Sequence, residues 1–277
     1  MRGAGGPTVA LVSVTMGRVQ RGYERLFRDL FDLVKNDLDI TLLKCDGEVT
    51  PNERPPRYLK VAQNAARRIP FKKVAGSEYK EYKADCLSFA LLLLPEMLTR
   101  RYDIVHIVDF PLGHMIGRLR SLFPVRPRVL MTNACCMLPQ FYPRVDLIHQ
   151  LTEPFFQHAI GDGVAANLLS FIPLGIHPDR FHRSETRQEL RSRYGVPANT
   201  YVVLSVAAIK RVHKRIDHIV NEVKGLRGDF LLWLDGNPED EQLMAEAHAA
   251  FGSRCRITLV PSESVGDLYH LADVMVH

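Results

Sequence analysis

The sequence lacks the features that mark several large classes of protein. Its longest apolar run, residues 86–94, is far shorter than the roughly 18 uncharged residues of a membrane span, which excludes an integral membrane protein. Its five cysteines are odd in number and show no CxxC spacing, so we expect reduced thiols in a cytoplasmic protein. The eleven histidines have no HExxH or other compact ligand spacing, and we expect no metal site.

Two common nucleotide-binding signatures are missing as well. No predicted strand is followed by GxGxxG, which argues against nicotinamide or flavin chemistry. Gly17 and Gly22 form the GxxxxG frame of a phosphate loop, but Tyr23 and Glu24 stand where a nucleoside triphosphatase needs Lys and Ser or Thr. The frame is left with two interpretations: a backbone that approaches a phosphate or a sugar, or a plain turn before a helix.

Positive charge is concentrated in one segment. The chain carries 36 Lys and Arg against 31 Asp and Glu, a net charge of +5, and residues 53–73 hold seven Lys and Arg with one Glu. Few aromatic residues interleave with these charges, so we do not expect nucleic-acid binding. The segment is compatible with a solvated surface helix or with peripheral contact to an anionic membrane.

Apolar runs rich in β-branched residues alternate with helical patterns along the whole chain. Residues 21–36 place apolar side chains at the i, i+3, i+4 spacing of an amphipathic crossover helix. Strands buried on both faces and separated by helices predict parallel sheets in an α/β fold with two Rossmann-like domains. The predicted strands are 8–14, 39–44, 103–110, 128–132, 145–151, 201–206, 229–234, 256–260 and 273–277.

A segment rich in Pro, Gly and His divides the chain. We predict a first domain over residues 1–172, a linker over 173–183 and a second domain over 184–277, whose first helix is capped by Ser184 and ended by Gly195. The second domain has three complete strands and stops inside a fourth. We therefore expect the sequence to be truncated at its carboxyl end and the second domain to be incomplete.

A cluster of cations follows the predicted strand 201–206. Lys210, Arg211, Lys214 and Arg215 come just beyond the carboxyl end of the strand and before an apolar-periodic helix. An anionic ligand at this place would meet positive charge, forked donors and a helix N-terminus together. The pattern favours an anion-binding loop over a solvated face.

With this loop the sequence resembles the GT-B-fold, retaining glycosyltransferases of the family-4 type, also called group 1. The similarity runs through IPLGIH with Phe181, through VLSVAAIKRVHKRID, through LLWLDGNP and through RITLVPSESVGDLYHLADVMVH. The first half is similar more loosely. The resemblance implies transfer of a sugar from a nucleotide-sugar, UDP- or GDP-linked, to an acceptor with retained configuration and without a metal or another cofactor.

The resemblance also assigns roles to residues on the donor side. Lys214 matches the family lysine that neutralises the diphosphate leaving group. The family arginine follows a Gly, where this chain has Ala207 and Ala208, so Arg211 is the substitute candidate. The other candidates for donor binding are Gly17, Gly22, Lys210, Arg215, Val260 and Pro261.

On the acceptor side the family places side chains on loops that follow the strands of the first domain. His106, Asp109 and Asn133 are the candidates for contact with a carbohydrate or a lipid-linked acceptor. His106 lies inside a predicted strand and is also explained as a buried core histidine. Asn133, with Thr132, is equally well explained by turn capping.

The family's pair of glutamates, in a motif opening with EGFG, is expected after strand 273–277, where the sequence ends. The resemblance thus implies that this chain alone is inactive. Two alternatives stay open: a non-catalytic module of the same fold that binds a nucleotide or another anion, and a nucleotide-sugar epimerase. The expected location is the cytoplasm, including the inner face of the membrane.

Overall fold

The computed structural model describes residues 6–17, 22–54 and 77–277. Two compact units make up the chain, Met1–Leu174 and Gly175–His277. Each unit has its own parallel β-sheet, with helices on both faces. The α/β class with two Rossmann-like domains, predicted from the alternating apolar runs, is confirmed.

Seven parallel strands are described in the first unit, in the spatial order β3-β2-β1-β4-β5-β6-β7. The strands are β1 (Val9–Ser13), β2 (Ile40–Lys44), β3 (Glu53–Arg54), β4 (Ile104–Ile107), β5 (Arg128–Asn133), β6 (Leu147–Gln150) and β7 (Leu169–Phe171). The helices are α1 (Gly22–Val34), α2 (Ser77–Thr99), α3 (Phe110–Leu119) and α4 (Glu153–Gly161). The chain order reverses between β1 and β4, which are neighbours in the sheet.

Alternation along β1 shows how this sheet is covered. Ala10 and Val12 pack on one face, in a core that includes side chains of α2 and α3. Val9 and Leu11 pack on the other face with Phe27 of α1. Successive side chains of a strand point to opposite faces, so a run that is apolar at every position belongs to a strand buried on both sides.

The second unit repeats this arrangement with four described strands in the order β10-β9-β8-β11. The strands are β8 (Tyr201–Val206), β9 (Phe230–Asp235), β10 (Cys255–Thr258) and β11 (Val274–Met275), and the helices are α5 (Arg187–Arg193), α6 (Ile216–Val223), α7 (Glu241–Phe251) and α8 (Val265–Leu271). Val203 and Leu232 pack toward α6 and α7, whereas Leu204 and Trp233 pack toward α5 and α8.

One predicted cap is wrong. The first helix of the second unit begins after Thr186, whose hydroxyl accepts from the Glu189 amide at 3.3 Å, while the Glu189 carboxylate accepts from the Thr186 amide at 2.7 Å. This is a capping box, and it places the helix start two residues after Ser184. Gly195 follows the helix in the left-handed conformation, with φ +63°, as predicted for its end.

The basic segment 53–73 lies outside the described residues except for Glu53 and Arg54 of β3. In the described part of the chain, no helix combines the length and the apolar character that crossing a membrane requires.

Candidate functional site

The cationic loop 210–215 lies at the carboxyl edge of the second sheet, as predicted. Beyond β8, the backbone continues its pairing with the neighbouring segment: the amides of Ala207 and Ile209 donate to the carbonyls of Asp235 and Asn237 at 2.9 and 2.8 Å. Ile209 is fully buried and fixes the start of the loop in the core. In open α/β sheets, ligands bind outside the carboxyl ends of the strands.

The loop backbone is strained at two positions. The Lys214 amide donates to the Val212 carbonyl at 2.8 Å, closing a γ-turn centred on His213, whose φ is +67°. Arg215, at the N-cap of α6, has φ +48°. Left-handed conformations of residues other than Gly are uncommon and cost free energy, and they cluster at functional sites.

Three of the four cations of the loop are paired with carboxylates. Lys210 Nζ lies 2.8 Å from Glu239 Oε2. Arg211 bridges two carboxylates, with its Nε 3.1 Å from Asp240 and its Nη2 2.8 Å from Glu246. Arg215 pairs with Asp217 at 3.1 Å. These contacts offset most of the positive charge that the sequence places here.

Lys214 is the exception. Within the described ranges it has no carboxylate partner; its Nζ lies 3.5 Å from Nε2 of His277, just beyond β11. β8 and β11 are neighbours in the sheet, and the chain order reverses between them. The topological switch point of an open α/β sheet is the usual position of its ligand, and Lys214 occupies that position.

A buried carboxylate organises the adjoining strand ends. Asp235, the last residue of β9, accepts from the Thr258 hydroxyl at 2.6 Å and from the Val260 amide at 2.9 Å. Burial raises the pKa of Asp235, and these two hydrogen bonds oppose the rise. The contact with the Val260 amide fixes the backbone that leads to Pro261. Val260 and Pro261, two of the donor-binding candidates, thus lie just beyond the carboxyl end of β10.

Gly236 allows the ends of β8 and β9 to come together. Its φ is +152°, and a Cβ placed there would lie 2.0 Å from the Ala207 carbonyl oxygen. A side chain at this position would displace the backbone just before the cationic loop. Gly236 is a site residue that sequence reasoning missed, although its place after a buried strand was a signal.

In the first unit, position 17 requires Gly for the same steric reason as position 236. A Cβ on Gly17, at φ +91°, would lie 2.0 Å from the Asp46 carbonyl oxygen, so this position is closed to other residues. Gly22 opens α1 and has open space around it. Residues 18–21 between them lie outside the described part, and donor binding by either glycine remains a prediction.

His106 lies within a hydrogen-bonded row across three strands. Its Nε2 is 2.7 Å from Thr132 Oγ1, which is 3.1 Å from His149 Nδ1, and His149 Nε2 is 2.8 Å from the Ile172 carbonyl oxygen. Because a carbonyl only accepts, His149 Nε2 donates to the Ile172 carbonyl, and the Thr132 hydroxyl bridges the two imidazoles. Burial, with His149 nearby, lowers the pKa of His106 to about 3.

Asp109 is buried at the switch point of the first sheet, between the ends of β1 and β4. Its Oδ2 accepts from the Val14 amide at 3.0 Å, and its Oδ1 accepts from the Tyr82 hydroxyl at 2.8 Å. Burial raises the pKa of Asp109 to about 6 in spite of these bonds. The carboxyl therefore joins β1, α2 and the start of α3, and its role toward an acceptor remains a prediction.

Asn133 caps the turn that follows β5. Its Nδ2 donates to the Cys135 carbonyl at 2.7 Å and to Gln150 Oε1 at 3.0 Å. The Tyr23 hydroxyl reaches this turn from α1 and accepts from the Ala134 amide at 2.8 Å. In the sequence, Tyr23 is notable as the residue in place of the phosphate-loop Lys, and this contact of its hydroxyl was not predicted, although a buried Tyr hydroxyl usually has a hydrogen-bond partner.

Neither a family model nor a curated protein matches this chain. Solved structures are similar to it across both units. Sucrose-phosphate synthase from Thermosynechococcus elongatus matches with a TM-score of 0.72 and 16% identity over 98% of this chain and 75% of that one. HepE of Anabaena, in complex with UDP-glucose, matches with a TM-score of 0.67 and 12% identity over 98% and 74%.

WaaG, a glycosyltransferase involved in lipopolysaccharide biosynthesis, matches with a TM-score of 0.65 and 13% identity over 97% of this chain and 74% of that one. At such low identity, likeness establishes the fold alone. The chain has the GT-B fold, which the sequence motifs had predicted.

Proposed function

We propose that this protein is a glycosyltransferase that transfers a sugar from a nucleotide-sugar to an acceptor with retention of configuration and without a metal. The observation that carries the proposal is Lys214. It is a cation at the topological switch point of the second sheet with no carboxylate partner in the described part of the chain, and the loop that presents it is strained.

Lys214 acts on the diphosphate in this proposal. Breaking the bond between sugar and nucleotide places negative charge on the leaving oxygen, and a fixed cation stabilises that charge as it develops. A Lys ammonium supplies the charge from one point with three donors. Arg211, the predicted second cation, is held by Asp240 and Glu246, so it has to exchange one of these partners for the phosphate.

The donor is proposed to be a UDP-sugar first and a GDP-sugar second. The similar structure of HepE was solved in complex with UDP-glucose, which supports a uridine nucleotide. Asp235 and the backbone that it fixes at Val260 and Pro261 are proposed to line the donor site beside the loop. No cofactor besides the donor is proposed.

The acceptor is proposed to be a carbohydrate or a lipid-linked sugar bound by the first unit. Seven Lys and Arg residues in 53–73 support contact with an anionic membrane surface from the cytoplasmic side. WaaG, which has a similar structure, is involved in lipopolysaccharide biosynthesis, and this also supports an acceptor of this class.

Calorimetric titration with UDP and with GDP tests the donor site. We expect the wild-type chain to bind one of them, and Lys214→Ala to weaken that binding at least tenfold because it removes a charge-assisted contact worth about 1.5 to 3 kcal/mol. Lys224→Ala is the matched control: it removes the same charge from the exposed end of α6, where Lys224 contacts Asn221 at 3.0 Å, and should leave binding unchanged. Equal binding by wild type and Lys214→Ala would contradict the proposal.

A non-catalytic nucleotide-binding module is the second candidate function. It is supported by the pairing of Arg211 with two carboxylates. Among the four loop cations only Lys214 then lacks a carboxylate partner in the described residues, whereas the glycosyltransferases that the sequence resembles use an Arg and a Lys. The two candidates differ in turnover. The test uses a chain extended by the two-glutamate motif that the resemblance implies. In that chain, binding of UDP without consumption of UDP-glucose in the presence of acceptors would favour the module, and release of UDP would favour the transferase.

A further inference from the structure

Two adjacent cysteines lie on the turn after β5, in the first unit. Cys135 and Cys136 are free thiols, and both are exposed, whereas Cys45, Cys86 and Cys255 are buried. The proposed sugar transfer makes no use of the adjacent pair. Exposed thiols are the ones that react with soft electrophiles, because access limits the reaction as much as thiolate content does.

The turn holds this pair in a fixed place. Asn133 on one side and Met137 on the other are buried, so the two exposed residues stand between anchored neighbours. Cys135 Sγ donates to Asn133 Oδ1 at 3.2 Å, and Asn133 is in turn bonded to Gln150 on β6. The backbone that carries the two thiols is thus anchored on both sides, so binding has to order only the two short side chains.

Tyr23 ties the same turn to α1. The Tyr23 hydroxyl accepts from the Ala134 amide, next to Cys135, at 2.8 Å. The backbone that carries the two exposed thiols is thus linked to the first turn of α1. Chemistry at the pair acts on the contact between β5 and α1.

We propose that Cys135 and Cys136 form a two-thiol binding site for thiophilic electrophiles of the trivalent arsenical class. This inference goes beyond the proposed sugar transfer and does not depend on it.

The reaction balances without an oxidant. An arsenoxide R–As=O reacts with the two S–H groups; two As–S bonds form, the As=O bond breaks, and the oxygen leaves with both protons as water. No atom changes its oxidation state. A dithiol in solution reverses the reaction by exchange, whereas a monothiol competes poorly because it lacks the second bond.

Adjacency favours this bridge over a disulfide. Neighbouring Cα atoms of a trans peptide are about 3.8 Å apart, which is shorter than the Cα–Cα distance of roughly 4.4 to 6.8 Å in disulfides. A direct S–S bond of about 2 Å between adjacent cysteines therefore closes a small, strained ring. An arsenic atom between the sulfurs enlarges the ring by one atom and relieves that strain. To enter the bridge, the Cys135 thiol has to leave Asn133 Oδ1.

The test uses phenylarsine oxide and intact-mass spectrometry on the native chain in the presence of a monothiol. We expect one arsenical per chain, removed by dimercaptopropanol, and loss of the adduct in Cys135→Ser and in Cys136→Ser. Cys255→Ala, which removes a buried thiol, is the matched control and should still load. Unchanged melting of the two serine variants shows that they fold.

An adduct that survives in either serine variant overturns the proposal. So does a wild-type chain that fails to load while a peptide with adjacent cysteines loads under the same conditions.

Discussion

At the scale of single residues, the carboxyl edges of both sheets carry buried polar groups whose partners are fixed. Asp235 and Asp109 each accept from a backbone amide at the end of a neighbouring strand. Such contacts satisfy amides that the ladder leaves open where the strands separate. They also hold the loops that follow, so these carboxylates position the candidate sites in addition to stabilising the sheets.

Asp109 makes stability depend on pH in a definite direction. Its pKa of about 6 in the folded chain lies above the ordinary value of 3.8, so the carboxyl's contribution is complete below about pH 4 and is lost as the pH rises through 6. Between pH 4 and 7 the free energy of unfolding of the wild-type chain should fall by on the order of 2 kcal/mol more than that of Asp109→Asn. Urea unfolding at several pH values measures the difference.

The exposed Asp37 offers a matched control for this experiment. Asp37→Asn should keep the pH dependence of the wild-type chain. Parallel pH profiles of the wild-type chain and Asp109→Asn would contradict the role assigned to the buried carboxyl.

At the scale of helices and strands, the caps and turns decide where each element begins. α5 starts at a capping box built from Thr186 and Glu189, although Ser184 is an equally suitable residue type two positions earlier. The difference is the reciprocal bond: Glu189 stands three residues after Thr186, and Ser184 has Arg187 at that spacing. The sequence held this signal, and residue type alone was not enough.

Replacing the two candidate caps separates their roles. Thr186→Ala should lower the free energy of unfolding by about 1 kcal/mol, since it leaves a helix amide without its acceptor. Ser184→Ala, at an exposed position, should change it by less than about 0.5 kcal/mol. Denaturant midpoints of the two variants measure both values, and the reverse order would show that the helix begins at Ser184.

Much of the fold could be predicted because doubly covered strands are apolar at every position. Each of the nine predicted strands corresponds to a strand of the structure, with ends that differ by a few residues. The short strands β3 and β7 were missed because each lies at an edge of the sheet and has only two or three paired residues. Too few positions are paired there for a periodic pattern to form.

The candidate site could be predicted only in outline. The four cations after β8 were evident, but the carboxylates that pair with Arg211 come from Asp240 and Glu246, some thirty residues later on another helix. Likewise, nothing local to Lys214 indicates that His277 is its neighbour. Pairing of this kind depends on the strand order of the sheet, which single-sequence patterns do not give.

At the scale of the whole molecule, two units with separate sheets and separate cores share one chain. In the first unit, His149 Nε2 hydrogen-bonds the Ile172 carbonyl. In the second unit, Arg183 forms an ion pair with Asp267, and His270 Nε2 hydrogen-bonds the Phe181 carbonyl at 2.7 Å. On both sides of the boundary after Leu174, the backbone thus contacts its own unit. Each unit presents its candidate site at the carboxyl edge of its own sheet.

The anion site proposed for this molecule is the loop 210–215 with the adjoining strand ends. Hydrogen exchange of the backbone amides, with and without saturating UDP, is the decisive measurement, because exchange locates the bound ligand along the chain. We expect slower exchange in residues 207–217 and 236–238 and unchanged exchange in β1, β4 and β5. Unchanged exchange in 207–217 at millimolar UDP, or protection confined to the first unit, would contradict it.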